Sequence, residues 1–267
     1  MIYDIREYRE EDIGALKALW HEAFGDSYEL IGAFFELLPS MGTGLVGELD
    51  GEIFGMAYVL DAFLHLPDNS TKRVAYIYAV AVDASAQGRG LGAELGRACM
   101  RYAWESGADV CCTLPAEDTL YDWYAERCGL KPTGFCRYEQ FEASPEVREI
   151  KRLNSDEYAF LREDKLRGTA HVGFYYGYMR FQEEIFLGSG GGFFEYGGGI
   201  ACGYVEDGVL YIKEALGDSD DFIPALCTTL GAKKAVVRRS DSFGERYISA
   251  YQPQEFPAET VWNLTLD

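Results

Sequence analysis

The residues of this chain best suited to chemistry form a glycine-rich loop. In the segment AVAVDASAQGRGLGAEL, Gly88, Gly90 and Gly92 lie between an apolar run, Val74 to Val82, and a helical stretch opening near Gly90. Glycine lets backbone approach phosphate oxygens without a Cβ clash, and the N–H groups at a helix N-terminus point at the charge. Arg89 adds a guanidinium that can reach phosphate through charge-assisted hydrogen bonds. This is an anion site in outline.

Two nucleotide readings fit poorly. A Walker loop needs G-x-x-x-x-G-K-[ST], and no Gly-Lys-Ser/Thr occurs here. Gly88 to Ala93 does match the dinucleotide pattern G-x-G-x-x-A, the mark of a nicotinamide-dependent oxidoreductase. In that arrangement the glycines follow the strand directly and open a run of parallel βαβ units. Here Asp83 to Ala86 intervene, and the preceding strands form a hairpin.

The elements around the loop follow from periodicity. Ile2 to Tyr8 alternates as a strand, and Glu10-Glu11-Asp12 opens a helix with Ile13, Leu16, Leu19, Trp20 and Phe24 on one face. A second helix spans roughly Tyr28 to Leu38. Gly44 to Leu49 and Glu52 to Leu60 are strands joined by Asp50-Gly51, a strong hairpin signal. Val74 to Val82 reads as a central strand buried on both sides. A helix to Glu105, a strand at Val110 to Leu114, a helix at Thr119 to Cys128 and a strand at Gly134 to Phe141 complete a mixed α/β (α+β) layer.

Residues 1 to about 142 resemble the GNAT superfamily of N-acetyltransferases, whose core motif is a strand followed by Q/R-x-x-G-x-G/A opening a helix. Gln87, Gly90 and Gly92 occupy the defined positions, and Gly88 and Arg89 are common fillers. The resemblance implies acetyl-coenzyme A as cosubstrate. It implies that the backbone of Val80, Ala81 and Val82 binds the pantetheine arm, and that Gly88, Arg89, Gly90, Leu91, Gly92 and Ala93, with Gln87, hold the pyrophosphate.

The stretch TLPAEDTLYDWYAERCGL is similar to the family's fourth helix, where a tyrosine hydroxyl protonates the departing thiolate. Tyr124 is assigned that role. The family usually has three residues between tyrosine and glycine, whereas Ala125 to Cys128 are four, so a one-residue shift puts Ala125 at that position; Tyr121 is a further contender. Leu130 replaces the usual aromatic. Acyl transfer also asks for an oxyanion donor and a base or water relay for the amine proton. By period 2, Tyr76 and Tyr78 share a strand face with Val80. Glu117 and Asp118 are candidate carboxylates or, more simply, caps for the following helix.

Composition narrows the partners. The 267 residues carry a net charge of −20, against DNA or RNA, which demand a basic face. A negative field favours cationic substrates such as amines. The N-terminus has no secretory pattern, and the longest apolar runs fall far short of the roughly 20 residues of a membrane span, so a soluble, cytoplasmic protein is expected. Seven cysteines without C-x-x-C suggest reduced thiols in the core rather than disulfides or zinc. His21, His65 and His171 lack metal-ligand spacing, and no metal is expected.

After Ala143-Ser144-Pro145 the pattern repeats in order. VREIKRLNSDEYAFLREDKL echoes the first strand and helix. FFEYGGGIACGYVEDGVLYIKEALG echoes the hairpin and central strand with a turn at Asp207-Gly208, and SDDFIPALCTTLGAKKAVVRRS echoes the helix and next strand. The run Gly188 to Gly199 reads most simply as a hairpin. The counterpart of the phosphate loop, Leu216 to Phe222, has Asp218, Asp220 and Asp221 and a single glycine, which would repel pyrophosphate. The expected organisation is two GNAT-like domains in tandem, 1–143 with the coenzyme site and 144–267 degenerate. The expected activity is acetylation of a primary amine on a small cationic molecule. A protein lysine or N-terminal acceptor, and a non-catalytic acyl-coenzyme A-binding regulatory module, are the alternatives. The sequence is silent on oligomeric state.

Overall fold

The computed structural model describes residues 3–145, 149–251, 257, 260–263 and 265–267. In chain order the elements are β1 (Asp4–Glu7), α1 (Ile13–Phe24), α2 (Tyr28–Leu37), β2 (Gly42–Leu49), β3 (Glu52–His65), β4 (Thr71–Val82), α3 (Leu91–Glu105), β5 (Val110–Thr113), α4 (Asp118–Cys128) and β6 (Lys131–Glu142). They continue with β7 (Lys151–Leu153), α5 (Ser155–Lys165), β8 (His171–Phe174), α6 (Tyr176–Gly188), β9 (Gly192–Tyr196), β10 (Gly199–Glu206), β11 (Val209–Leu216), α7 (Phe222–Thr229), β12 (Lys234–Asp241) and β13 (Glu245–Tyr251). Mixed sheets flanked by helices make the fold α/β, as the alternating patterns predict. No helix among the described residues is long and apolar enough to cross a membrane.

Two compact units form. The first comprises Met1–Leu64, Thr71–Thr133 and Arg246–Phe256; the second comprises His65–Ser70, Gly134–Glu245 and Pro257–Asp267. This differs from the expected division at 143/144, and the cause is strand exchange. β13, from the far end of the chain, pairs antiparallel with β5 in the first unit, Ser249 opposite Thr113 and Tyr251 opposite Cys111. β6, from the first half, pairs antiparallel with β12 in the second, from Lys234–Glu142 to Asp241–Phe135. Strand pairing is satisfied wherever backbone edges meet, so chain order does not fix which unit a terminal strand completes.

Within each unit the strand order is the same: β1-β2-β3-β4-β5-β13 in the first and β7-β9-β10-β11-β12-β6 in the second. In both, the fourth and fifth strands are parallel and joined through a helix. Both Asp-Gly turns are left-handed at both residues, φ 53° and 84° at Asp50-Gly51 and φ 50° and 76° at Asp207-Gly208. These are the angles of a type I′ turn, whose twist matches that of the flanking strands. Gly188 to Gly199 closes α6 and forms the β9–β10 hairpin, turning at Gly197 and Gly198.

Side-chain alternation in the first unit builds a layer on each face of the sheet. Ala57, Val59, Ala75 and Ile77 face α3 and α4, packing with Leu91, Leu95, Cys99 and Cys128. Tyr58 and Tyr78 face the other way, onto Trp20 and Phe34 of α1 and α2, at ring separations of 4.8–5.8 Å. In the second unit Phe194 and Ala201 pack with α7, while Phe193 and Ile200 pack with α5 and α6. All seven cysteines are buried and unlinked.

Candidate active site

The site begins where two parallel strands part. β4 and β5 are in register from Val74–Val110 to Ile77–Thr113. β5 then stops, while β4 runs on to Val82. At the last shared rung Thr113 donates from Oγ1 to the Ile77 carbonyl at 2.9 Å. Beyond it β4 changes character: Ala79 has φ 46°, left-handed for a residue with a Cβ.

That kink reverses the alternation. Ala75 and Ile77 face α3 and α4 before it, and Val80 and Val82 face the same layer after it. Tyr76 and Tyr78, whose rings lie 5.9 Å apart, therefore do not share a face with Val80, contrary to the period-2 expectation. One extra residue in a strand turns every later side chain over. Tyr78, Ala79 and Val80 are all half-buried at the point of divergence.

The loop after β4 is held by short-range bonds. Gln87 donates from Nε2 to the Val82 carbonyl at 3.0 Å, tying the loop to the strand end. Asp83 accepts from the Ser85 N–H at 2.8 Å and from its hydroxyl, and those bonds hold the Asp83 carboxyl below its usual range. Gly88 and Gly90 are left-handed, φ 71° and 88°, and a Cβ at either would meet nothing within 4 Å. Gly90 caps α3, so the N–H groups of Leu91, Gly92 and Ala93 form the open first turn of a fifteen-residue helix. A Cβ on Gly92 would contact Val82 Cγ2 at 3.7 Å and the Trp123 ring at 3.8 Å. The protein itself leaves the space over Gly88 and Gly90 empty, whereas Gly92 faces Val82 and Trp123. An open space at a helix N-terminus suits an anion.

Tyr124 is buried, 7% exposed, and its hydroxyl is hydrogen-bonded to the Thr113 side chain. The hydroxyl thus lies at the apex of the gap between β4 and β5. Burial pushes its pKa well up, keeping the proton on at neutral pH. The other candidates are elsewhere. Tyr121 donates toward the Arg246 and Tyr247 carbonyls of β13, at 2.8 and 3.1 Å. Asp118 and Asp122 are exposed partners of Arg246 at 2.6 and 2.9 Å. Glu117 precedes α4 but makes no side-chain cap. Arg89 is exposed on the loop.

Sequence reasoning missed Ala79, Thr113 and Trp123. Nothing in Ala-Val-Ala-Val marks a kink. Trp123, whose ring packs edge-on to Tyr124 at 4.9 Å and closes over Gly92, reads as one more helix aromatic.

A strand kinked beside a gap, a glycine cradle at a helix start and a buried hydroxyl at the apex define an acyl-transfer class of site. Residues 4–125 match the acetyltransferase (GNAT) domain family. Over that span, a little under half of the chain, the sequence is similar to GNAT acetyltransferase domains. No curated protein matches it significantly. Among solved structures, a conserved protein of unknown function from Enterococcus faecalis V583 superposes with TM-score 0.73 at 12% identity, over 94% of this chain and 72% of that one. The GCN5-related N-acetyltransferase from Kribbella flavida gives 0.68 at 16% identity, over 94% and 72%. The GCN5-related N-acetyltransferase from Anabaena variabilis gives 0.67 at 13%, over 93% and 72%. At these identities the likeness is one of fold.

Proposed function

We propose that the chain transfers an acetyl group from acetyl-coenzyme A to a primary amine on a small cationic molecule. The observation that carries this reading is the parting of β4 from β5 beyond Ile77 and Thr113, with the Tyr124 hydroxyl at its apex and left-handed Gly88 and Gly90 past its far end.

In this reading the peptide groups of Val80, Ala81 and Val82 bind the pantetheine arm. Gln87 fixes the loop, and the N–H groups from Gly88 through Ala93, with Arg89, hold the pyrophosphate. The coenzyme supplies an activated thioester. Tyr124 gives its proton to the sulfur as the carbon–sulfur bond breaks, and the attacking amine loses one to solvent. The net charge of −20 favours a cationic acceptor.

We also read the second half, 144–267, as a degenerate copy that binds no coenzyme. Gly217 is not left-handed, and a Cβ on it would stand 3.0 Å from Gly199 Cα, so it serves close packing. Asp220 is paired with Arg239 at 2.5 Å, leaving a carboxylate where phosphate would lie.

The test is release of free thiol from acetyl-coenzyme A across a panel of polyamines, aminoglycosides, amino acids and lysine-containing peptides. Turnover with the small cations supports the proposal. Turnover confined to peptides would move the acceptor to proteins, and coenzyme binding without turnover on any amine would favour a regulatory module.

A further inference from the structure

His65, Glu163 and His171 are far apart in sequence, yet the second unit brings them together at the end of β3, on α5 and at the start of β8. Their ligand-type atoms all lie within 4.8 Å of one another. Both imidazoles turn Nε2 toward the same carboxylate oxygen, Glu163 Oε2, at 3.0 Å from His171 and 3.8 Å from His65. The rings stack at 4.9 Å with 20° between their planes.

Three features suit an ion rather than a chance cluster. The His171 Nδ1 lies 2.8 Å from the Thr169 carbonyl, an acceptor, so that nitrogen carries a proton, and Nε2, which hydrogen-bonds Glu163 Oε2 at 3.0 Å, is the nitrogen at which an ion would replace a proton. A backbone carbonyl orienting the far nitrogen in this way is the usual support of a metal-bound histidine. Gly173, next, is required to be small: a Cβ there would stand 2.9 Å from His65 Nε2 and 3.2 Å from Glu163 Oε1. Finally, donors about 2.1 Å from a tetrahedral ion lie roughly 3.4 Å apart, and the 3.0 and 3.8 Å separations bracket that value. Arg162, 3.4 Å from Glu163 Oε1, is the neighbouring cation, and its charge is already matched by buried Glu214 at 2.8 Å.

We propose that His65, Glu163 and His171 form a binding site for a divalent transition-metal ion of the zinc type, with a fourth position open to water. Two imidazoles and one carboxylate are the donor set such ions take, and hard ions such as magnesium or calcium prefer all-oxygen shells. The histidine side chain of residue 65 and that of Glu163 are 37% and 44% exposed, so ion and water have a route in. The ion would clip the end of β3 to α5 and β8.

The experiment titrates Zn²⁺ and Co²⁺ into the full chain after chelator treatment, in the wild type and in His65→Ala, Glu163→Gln and Gly173→Val. The expected result is one ion per chain, with the intense visible bands of four-coordinate Co²⁺ and no thiolate charge transfer in the near ultraviolet. Each variant should weaken binding at least about tenfold while circular dichroism stays unchanged; because His65 and Glu163 are partly exposed, their variants keep the fold. Absence of stoichiometric uptake, a thiolate spectrum, or affinity unchanged in Glu163→Gln would overturn the site and leave an ordinary His171–Glu163 ion pair.

Discussion

Thr113 and Ile77 face each other across the last shared rung of β4 and β5, joined by a 2.9 Å bond from the threonine hydroxyl to the isoleucine carbonyl. That bond ends the paired region, receives Tyr124 on its other side, and marks where the proposed thioester would lie.

Removing the Tyr124 hydroxyl should therefore strike chemistry more than binding. Tyr124→Phe is expected to lower kcat by about 10² or more, with the Kd for acetyl-coenzyme A within a few-fold of wild type. Because burial raises the Tyr124 pKa, the acid stays protonated through the alkaline range. The wild-type rate should rise as the acceptor amine loses its proton and show no decline before pH about 10, the ordinary tyrosine value. Steady-state kinetics from pH 6 to 10 on both proteins checks this; a kcat unaffected by the substitution would move the acid to another group.

Gly92 separates a structural glycine from a ligand-binding one. Its φ is not left-handed, and a methyl there would make ordinary contact with Val82 Cγ2 at 3.7 Å and the Trp123 ring at 3.8 Å. Gly92→Ala should leave thermal stability within about 0.5 kcal/mol, and because its methyl points at Val82 and Trp123 rather than into the space over Gly88 and Gly90, affinity for acetyl-coenzyme A should stay within a few-fold of wild type. Calorimetric unfolding and binding on the same sample measure both. A loss of tenfold or more would show that the phosphates lie against Gly92 itself.

The pair Arg6–Asp12 makes a pH prediction. Hydrogen bonding to Arg6 at 2.7 Å, with the Arg9 N–H also at 2.7 Å, holds the Asp12 carboxyl below its usual range. A carboxyl depressed in the folded state adds stability above its unfolded pKa of about 3.9 and loses it as pH falls through the folded value. Asp12→Asn should cost about 1–3 kcal/mol at pH 7, and the difference should shrink toward zero below pH 3. Urea unfolding at the two pH values reads it.

Strand exchange makes a prediction about truncation. A fragment of residues 1–143 lacks β13, so β5 is left with an open edge, and β6 lacks β12. The fragment should aggregate or unfold without cooperativity, whereas the full chain should not; near-ultraviolet circular dichroism and sedimentation distinguish the two. A monomeric, cooperatively folded fragment would mean that β13 is dispensable.

Much of this fold was legible because its signals are local. Asp50-Gly51 and Asp207-Gly208 announce their hairpins within two residues, and the apolar run Val74–Val82 followed by Gln87 to Gly92 carries both strand and loop. What was not legible depends on distance. The exchange of β6 and β13 is decided by which edges meet, and no residue in either strand names its partner. The kink at Ala79 is a backbone state of an ordinary alanine, and it alone turns Val80 away from the face of Tyr76 and Tyr78. Thr113 acquires meaning only beside Ile77 and Tyr124. His65 and His171 are separated by the boundary of the apparent repeat, so spacing could not associate them.

The central claim is that each chain has one coenzyme site, built on the loop after β4. Isothermal titration of acetyl-coenzyme A into the wild type and Gly90→Val tests it most directly, since φ 88° at Gly90 admits no β-branched residue without strain. One molecule bound per wild-type chain, and no detectable binding in a folded Gly90→Val, is the predicted result. Two molecules per chain, none at all, or unchanged affinity in the variant would contradict it.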